Sequence, residues 1–366
     1  MSSPIVVGAT ADGEVGERPI VTVVIPVRNA SAHLRKCLDS IGRSAFPREA
    51  MEIVVCDNES TDDSAAVASA FGARVVTCTG RGVAAVRNAG ARLARGEVLA
   101  FIDADHTIAA NWISRAAAII AEYPLIAAAG APCVAPDNGT WVQRVIDGNR
   151  VRPRGMEYVD WLGAGALVVR RSAFLRAGGF DETLEACEDV ALCKSLRATG
   201  AALAADERLT TVHYGDPATL AALFCGELWR GRDNVRVSFR RPFALREFKG
   251  LVLSAAMLLS VGTAIVLTLS APWIGWYPGL AMWALASLVP APRTFRMLRC
   301  LPSTWIVKAY VASVVYELAR ALALVLKVPH HRQRRAGGQM DEIAKPWTEP
   351  TGQLQGAETV VNRHDA

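Results

Sequence analysis

The chain has 366 residues, a formal charge of +5, 51% hydrophobic residues and only 20% charged ones. That length holds one substantial core and a further module. The basic residues lack an accompanying pattern for stacking bases, which excludes nucleic acid as the partner. The eight cysteines, at 37, 56, 78, 133, 187, 193, 225 and 300, form no close metal-ligand pair and no regular framework, and several lie in apolar stretches, so most of them read as buried free thiols of a reducing compartment. Residues 1–18 have no basic segment leading into a long apolar core. They read as a flexible tail and not a signal peptide, which places the head in the cytosol.

Ile20–Ile25 reads as a short strand closed by Pro26, with Asn29 or Ser31 capping a helix that begins near Ala32. Met51–Cys56 is a second strand, running into Asp57-Asn58-Glu59-Ser60-Thr61-Asp62 and a helix over Asp63–Phe71. Arg74–Cys78 makes a third strand, followed by a helix containing Arg87-Asn88-Ala89-Gly90. Strands and helices alternating at this spacing predict an α/β fold with a mostly parallel sheet. No G-x-G-x-x-G follows the first strand, so hydride transfer on a dinucleotide is not expected.

Val98–Ile102 is a fully apolar strand, and Asp103-Ala104-Asp105-His106 follows at its carboxyl end. Open α/β sheets bind ligands at that edge, where two carboxylates suit a ribose and a divalent cation. An Asp-rich helix cap is the plainer alternative. Asp57 can accept from a nucleotide base, and Arg81 and Arg87 can offer guanidinium forks to a diphosphate, unless they merely order a turn and a solvated helix face. Asn111–Glu122 predicts a helix, while 132–160 has no clear period and reads as an acceptor-side insertion or mobile flap. Trp161–Arg170 reads as another strand, with small residues that permit close approach to a ligand. Glu188 and Asp189 open a helix that runs to about Thr199; they serve either as capping charges or as a proton acceptor facing Asp103 and Asp105.

Taken together, Ile25-Pro26-Val27-Arg28-Asn29, the Asp57–Asp62 loop, Arg87–Gly90, Asp103–Asp105, Gly178-Gly179-Phe180-Asp181-Glu182 and Glu188-Asp189 resemble the family 2 inverting glycosyltransferases, over about Pro19 to His213. The resemblance implies the GT-A nucleotide-sugar-binding fold, with Pro26, Asn29, Asp57, Arg81, Arg87, Asp103 and Ala104 on the donor. It puts Asp105 on Mg²⁺ or Mn²⁺ and makes Asp189 the base, with Glu188 second. His106 and His213 are further metal or phosphate contacts, and Trp161, Gly163, Ala164 and Trp229 lie on the acceptor side. The Gln-x-x-Arg-Trp signature of processive members is replaced by Leu228-Trp229-Arg230, which points to one sugar per acceptor.

The expected organisation is a catalytic domain at 19–228, a basic amphipathic juxtamembrane segment at 229–249 that meets anionic lipids, a transmembrane hairpin at 250–292, an interfacial or third transmembrane helix at 303–328, and a basic then disordered tail at 329–366. No charged residue occurs from Gly250 to Pro292, enough for two passes. Flanking arginines place both ends in the cytosol. A paired Glu317 and Arg320 would suit a third span. The acceptor is then a lipid or lipid-linked molecule. A glycosyltransferase acting on polyprenyl phosphate, or a non-catalytic membrane scaffold, would share this layout.

Overall fold

The structure, a computed structural model, describes residues 20–79, 82–240 and 245–326. Arg81 and both chain ends, 1–19 and 327–366, lie outside the described residues. The first half alternates as expected: β1 (Val21–Val27), α1 (Ser31–Gly42), β2 (Met51–Asp57), α2 (Ser64–Ala70), β3 (Arg74–Thr77), α3 (Val83–Leu93), β4 (Val98–Ile102), β5 (His106–Thr107), α4 (Trp112–Glu122) and β6 (Ile126–Gly130). Every residue of β2, β4 and β6 is buried. Helices covering both faces of a sheet produce such continuous apolar runs.

The chain continues through α5 (Trp141–Gly148), β7 (Met156–Tyr158), β8 (Ala166–Arg170), α6 (Arg171–Arg176), α7 (Glu188–Ala198), β9 (Ala202–Asp206), β10 (Val212–His213), α8 (Leu220–Arg230) and α9 (Asn234–Ser238). Eight strands form one sheet in the order β3-β2-β1-β4-β8-β6-β9-β7. β2 pairs parallel with β1 and β3, β1 with β4, and β6 with β9, whereas β8 lies antiparallel to both β4 and β6. Strand order reverses between β1 and β4, and the carboxyl ends of β1, β2 and β4 open there into one crevice.

Three local expectations are corrected. β1 does not stop at Pro26 but pairs with β2 as far as Val27. Its pairing with β4 ends at Val24, so the proline sits where β1 has lost one neighbour. Neither Asn29 nor Ser31 caps α1 with its side chain. Instead Ser64 Oγ and Asp62 Oδ2 accept from the Ala30 and Ser31 amides. The stretch 132–160 is not a structureless flap: Thr140 and Gln143 close a capping box on α5, and β7 adds an antiparallel edge beside β9.

The C-terminal helices are α10 (Leu245–Leu269), α11 (Ala271–Ile274), α12 (Tyr277–Leu288), α13 (Ala291–Leu298) and α14 (Ile306–Ala323). Among the described residues one stretch, Phe248–Leu269, is long and apolar enough to cross a membrane, with mean hydropathy 2.2 over its best window. α12 packs back against α10 but has 12 residues, a length of about 18 Å and shorter than a bilayer core. α14 touches α10 as well. It packs on α5 and α8 of the head, through a cluster that includes Val142, Val145, Leu223, Met297, Ala309 and Ala312. Glu317 and Arg320 are not paired with each other: Arg293 Nε donates to Glu317 (2.8 Å) and Arg320 Nε to Glu227 (2.9 Å).

The basic segment before α10 also meets the protein itself. Arg232 pairs with Glu185, Arg240 Nη2 with Asp181 (2.5 Å), and Arg236 donates to Thr183. Asp233 Oδ2 accepts from the Glu185 and Ala186 amides (2.9 and 3.1 Å). α9 and its flanks are thereby stitched to the loop leading into α7.

Candidate active site

At the carboxyl end of β4 the Asp103 amide donates to Gly165 O (2.9 Å) and the His106 amide to Asp103 O (3.0 Å), which turns the chain sharply. β5 then pairs antiparallel with β10, setting His106 opposite His213. The two rings stack with centroids 4.4 Å apart. His106 Nδ1 meets Thr211 Oγ1 at 2.8 Å in a buried position. Burial, with the neighbouring His213, pushes His106 down to about 4, so it is a neutral imidazole at neutral pH.

His213 bridges two carboxylates. Its Nε2 lies 3.4 Å from Asp105 Oδ2 and its Nδ1 3.0 Å from Asp216 Oδ1. Asp216 is clamped in turn by both Nη atoms of Arg150 (2.8 and 2.7 Å). Burial opposes charge on His213, but the hydrogen bonds to Asp105 and Asp216 outweigh it and push the ring up to about 12. Asp105 is likewise penalised by burial, yet the bond from His213 holds it below the ordinary carboxylate range. Asp105 Oδ1 is buried without a hydrogen-bond partner, an arrangement that favours a cation. Ligand atoms of Asp103, Asp105 and His106 all lie within 4.8 Å of one another. This set of carboxylate oxygens plus a neutral imidazole fits a divalent metal.

Arg87, on α3, is not free for a diphosphate. It is 3% exposed, and its Nη2 and Nη1 bond Asp103 Oδ1 and Glu188 Oε1, each at 2.7 Å. Its guanidinium also lies 5.5 Å from the Phe180 ring, and Phe180 packs edge-on against Phe101 of β4. Asn88 fixes the same loop, donating to Phe180 O (2.8 Å) and accepting from Phe180 N (3.0 Å). Arg87-Asn88 thus ties the start of α7 to the end of β4. Glu188 is occupied by this ion pair, whereas Asp189 has no cationic hydrogen-bond partner in it.

Asp189 Oδ1 accepts from the Val190 amide (2.7 Å). Burial and the adjacent Glu188 charge push Asp189 up to about 7, with hydrogen bonds from the Val190 and Ala164 amides and the charge of Arg87 acting the other way. A carboxylate poised near neutrality is suited to proton transfer. Cys187 supports the corner, entering α7 with φ of 62°.

On the donor side, Asp57 ends β2 and is buried, its Oδ1 accepting from the Ser60 amide (3.2 Å). Asn29 stands in the left-handed region with φ of 49°, and its Oδ1 accepts from the Thr61 amide (2.6 Å). The ends of β1 and β2 are thereby locked together beside Pro26. Ala104 is buried. On the other side of the crevice, Ala164 is buried and its amide reaches Asp189. A Cβ on Gly163 would stand 3.9 Å from Asp189 Oδ2. Trp161 is 56% exposed, and Trp229 lies near the end of α8, beside Arg230.

Sequence reasoning missed Thr211, Asp216 and Arg150. His213 and Asp216 are spaced i, i+3, a faint local signal, but Arg150 lies 66 positions from Asp216 and carried none. Gly215 was missed as well. A Cβ there would stand 1.9 Å from Asp105 Oδ2, so only glycine lets the chain pass this carboxylate.

A switch-point sheet with an acidic turn after β4 and a carboxylate at the start of α7 is the arrangement of the GT-A-type fold. Residues 22–178 match the family described as Glycosyl transferase family 2. The chain is 31% identical over 108 residues to glycosyltransferase AglE of Haloferax volcanii, covering 28% of this chain and 36% of that one. It is 28% identical over 262 residues to the pre-mycofactocin glycosyltransferase of Mycobacterium tuberculosis, covering 67% of this chain and 53% of that one. The chain therefore spans between a third and about half the length of these curated relatives. Among solved structures, a mannosyltransferase of Pyrobaculum calidifontis in complex with GDP-Man and Mn²⁺ superposes with a TM-score of 0.54 at 20% identity, covering 84% of this chain and 87% of that one.

Proposed function

We infer that the protein is a membrane-bound, inverting glycosyltransferase that moves one sugar from a nucleotide-sugar donor to a hydroxyl of a lipid or lipid-linked acceptor. The observation that carries this reading is Asp189, a half-buried carboxylate pushed up to about 7 at the start of α7, where its neighbour Glu188 is tied through Arg87 to Asp103 at the end of β4. The mannosyltransferase relative binds GDP-Man and Mn²⁺, which supports a nucleotide-sugar donor and a divalent ion here.

In this reading Asp57 accepts from the base, and Pro26, Asn29, Ala104 and Arg81 line the donor. Asp103, steered by Arg87, faces the ribose or sugar. Asp105, with His106 and His213 beside it, would hold Mg²⁺ or Mn²⁺. That ion, when bound, neutralises the charge of the departing nucleoside diphosphate. Asp189 takes the proton from the acceptor hydroxyl as its oxygen attacks the sugar C1 from the face opposite the leaving group, which inverts the anomeric centre. Glu188, paired with Arg87, raises the affinity of Asp189 for that proton. The apolar α10 supports a lipid acceptor and a membrane location with the head in the cytosol.

The test uses membranes containing the full chain, with UDP-, GDP- and dTDP-sugars, Mg²⁺ or Mn²⁺ and a total lipid extract. Labelled sugar should enter the organic phase with one donor, and D105A should abolish it. Lipid that stays unlabelled with every donor while nucleotide is still released from one would overturn the lipid acceptor. Gly215→Ala checks the metal reading separately. The crowded Asp105 should weaken Mn²⁺ binding, read by electron paramagnetic resonance, by about 10–100-fold. Unchanged binding would remove Asp105 from the metal site.

A further inference from the structure

We propose that Arg320 and Arg230 form an anion subsite beside the base, which takes the phosphate of a phosphate-bearing lipid acceptor; the proposal rests on the function above and narrows its acceptor class. Arg320 Nε and Arg230 Nη1 share one carboxylate, Glu227, at 2.9 and 2.7 Å. Burial opposes the charge of Glu227, yet the two arginines hold its carboxyl below the ordinary range. The trio is therefore ionised and carries one unbalanced positive charge. Arg293 does not supply that charge, because Glu317 balances it (2.8 Å).

Arg320 is also incompletely satisfied. Its Nη2 donates to Tyr316 Oη at 3.3 Å, while its Nη1 is buried with no hydrogen-bond partner. A buried guanidinium donor left unpaired is costly, and a phosphate oxygen is the partner its geometry matches. Arg230, with 42% of its side chain exposed, opens the cluster to a ligand.

The placement ties this charge to the chemistry. Arg230 O receives the Cys187 thiol at 3.6 Å, and Arg320 acts electrostatically on Cys187, two residues ahead of Asp189. Arg320 belongs to α14, which also packs against the apolar α10. The cluster thus stands beside the base helix on a helix, α14, that also touches the apolar α10, a placement that suits an amphiphile with an anionic head. Free phosphate offers the same oxygens, and chain length separates the two sources.

The experiment measures binding of farnesyl phosphate, farnesol and inorganic phosphate to the detergent-solubilised full chain. Farnesyl phosphate should bind at least about 10-fold more tightly than farnesol, the value of one well-made charged hydrogen bond, and more tightly than inorganic phosphate. Arg320→Gln should erase most of that preference and Arg320→Lys part of it. If R320Q does not fold, judged by circular dichroism and elution volume, Arg230→Gln supplies the test, since its side chain is more exposed. Equal binding of farnesyl phosphate and farnesol, or a preference that survives both substitutions, overturns the subsite. Inorganic phosphate binding as tightly as farnesyl phosphate overturns the lipid source. Nucleotide release by the unaltered protein without any phosphate preference sinks the subsite alone. No nucleotide release from any donor sinks the function it rests on.

Discussion

Asp189→Asn should reduce sugar transfer by about 10²–10⁴-fold, the range a general base contributes, and should at the same time stabilise the protein at pH 8. Asp189 is held near 7 by burial and by Glu188, above the value of about 4 it takes in the unfolded chain. An acid raised in this way favours the fold only while protonated. Its contribution is complete below about pH 4, falls as pH rises, and has been lost above about 7. Asn remains neutral throughout. D189N should therefore melt higher than the parent at pH 8, by about 2–4 °C for each kcal/mol recovered, and at nearly the same temperature at pH 4. In the parent, kcat/KM should rise about tenfold per pH unit below about 7 and level off above it. A variant that keeps its rate, or melts lower at pH 8, would remove Asp189 from the role of base.

Arg87→Met should be the most destabilising single change in the head. It leaves Asp103 and Glu188, both at 2.7 Å in the parent, without the buried guanidinium that joins them. Removing one partner of a buried ion pair costs about 3–5 kcal/mol. The loss can be read from urea unfolding of the solubilised protein. Adding Glu188→Gln should restore part of it, because one stranded charge disappears. Arg87→Met that unfolds at the parent's urea midpoint would show that the triad is solvated and unimportant to the fold.

These two residues mark how far the sequence could be read. Glu188-Asp189 was legible as the acidic opening of a helix within a run of familiar motifs, and the role proposed for Asp189 came from those motifs. Arg87 was legible as a residue and misread in its role, since no local pattern says that a guanidinium turns inward to Asp103, 16 positions away, and Glu188, 101 positions away. Asn29 was taken for a cap because its type favours caps. The loop from β2 competed for the same amides and won, with Asp62 and Ser64 accepting from them. The region 132–160 looked shapeless because one helix of eight residues and one strand of three are too short to display a period.

The sequence by itself determined the alternating α/β head, the acidic turn after a buried strand, and the concentration of apolar residues in the last third. Each follows from local order: period, composition and the short-range chemistry of turns. The tertiary structure decided which charges meet. It set His213 against Asp105 and Asp216, bound Arg150 to Asp216, turned the basic segment before α10 onto the loop ahead of Asp189, and docked α14 on the head through Glu227 and Arg320. Such pairings join positions far apart in the chain. They are fixed by which buried carboxylate each guanidinium can reach once the sheet has formed, a choice no stretch of sequence contains.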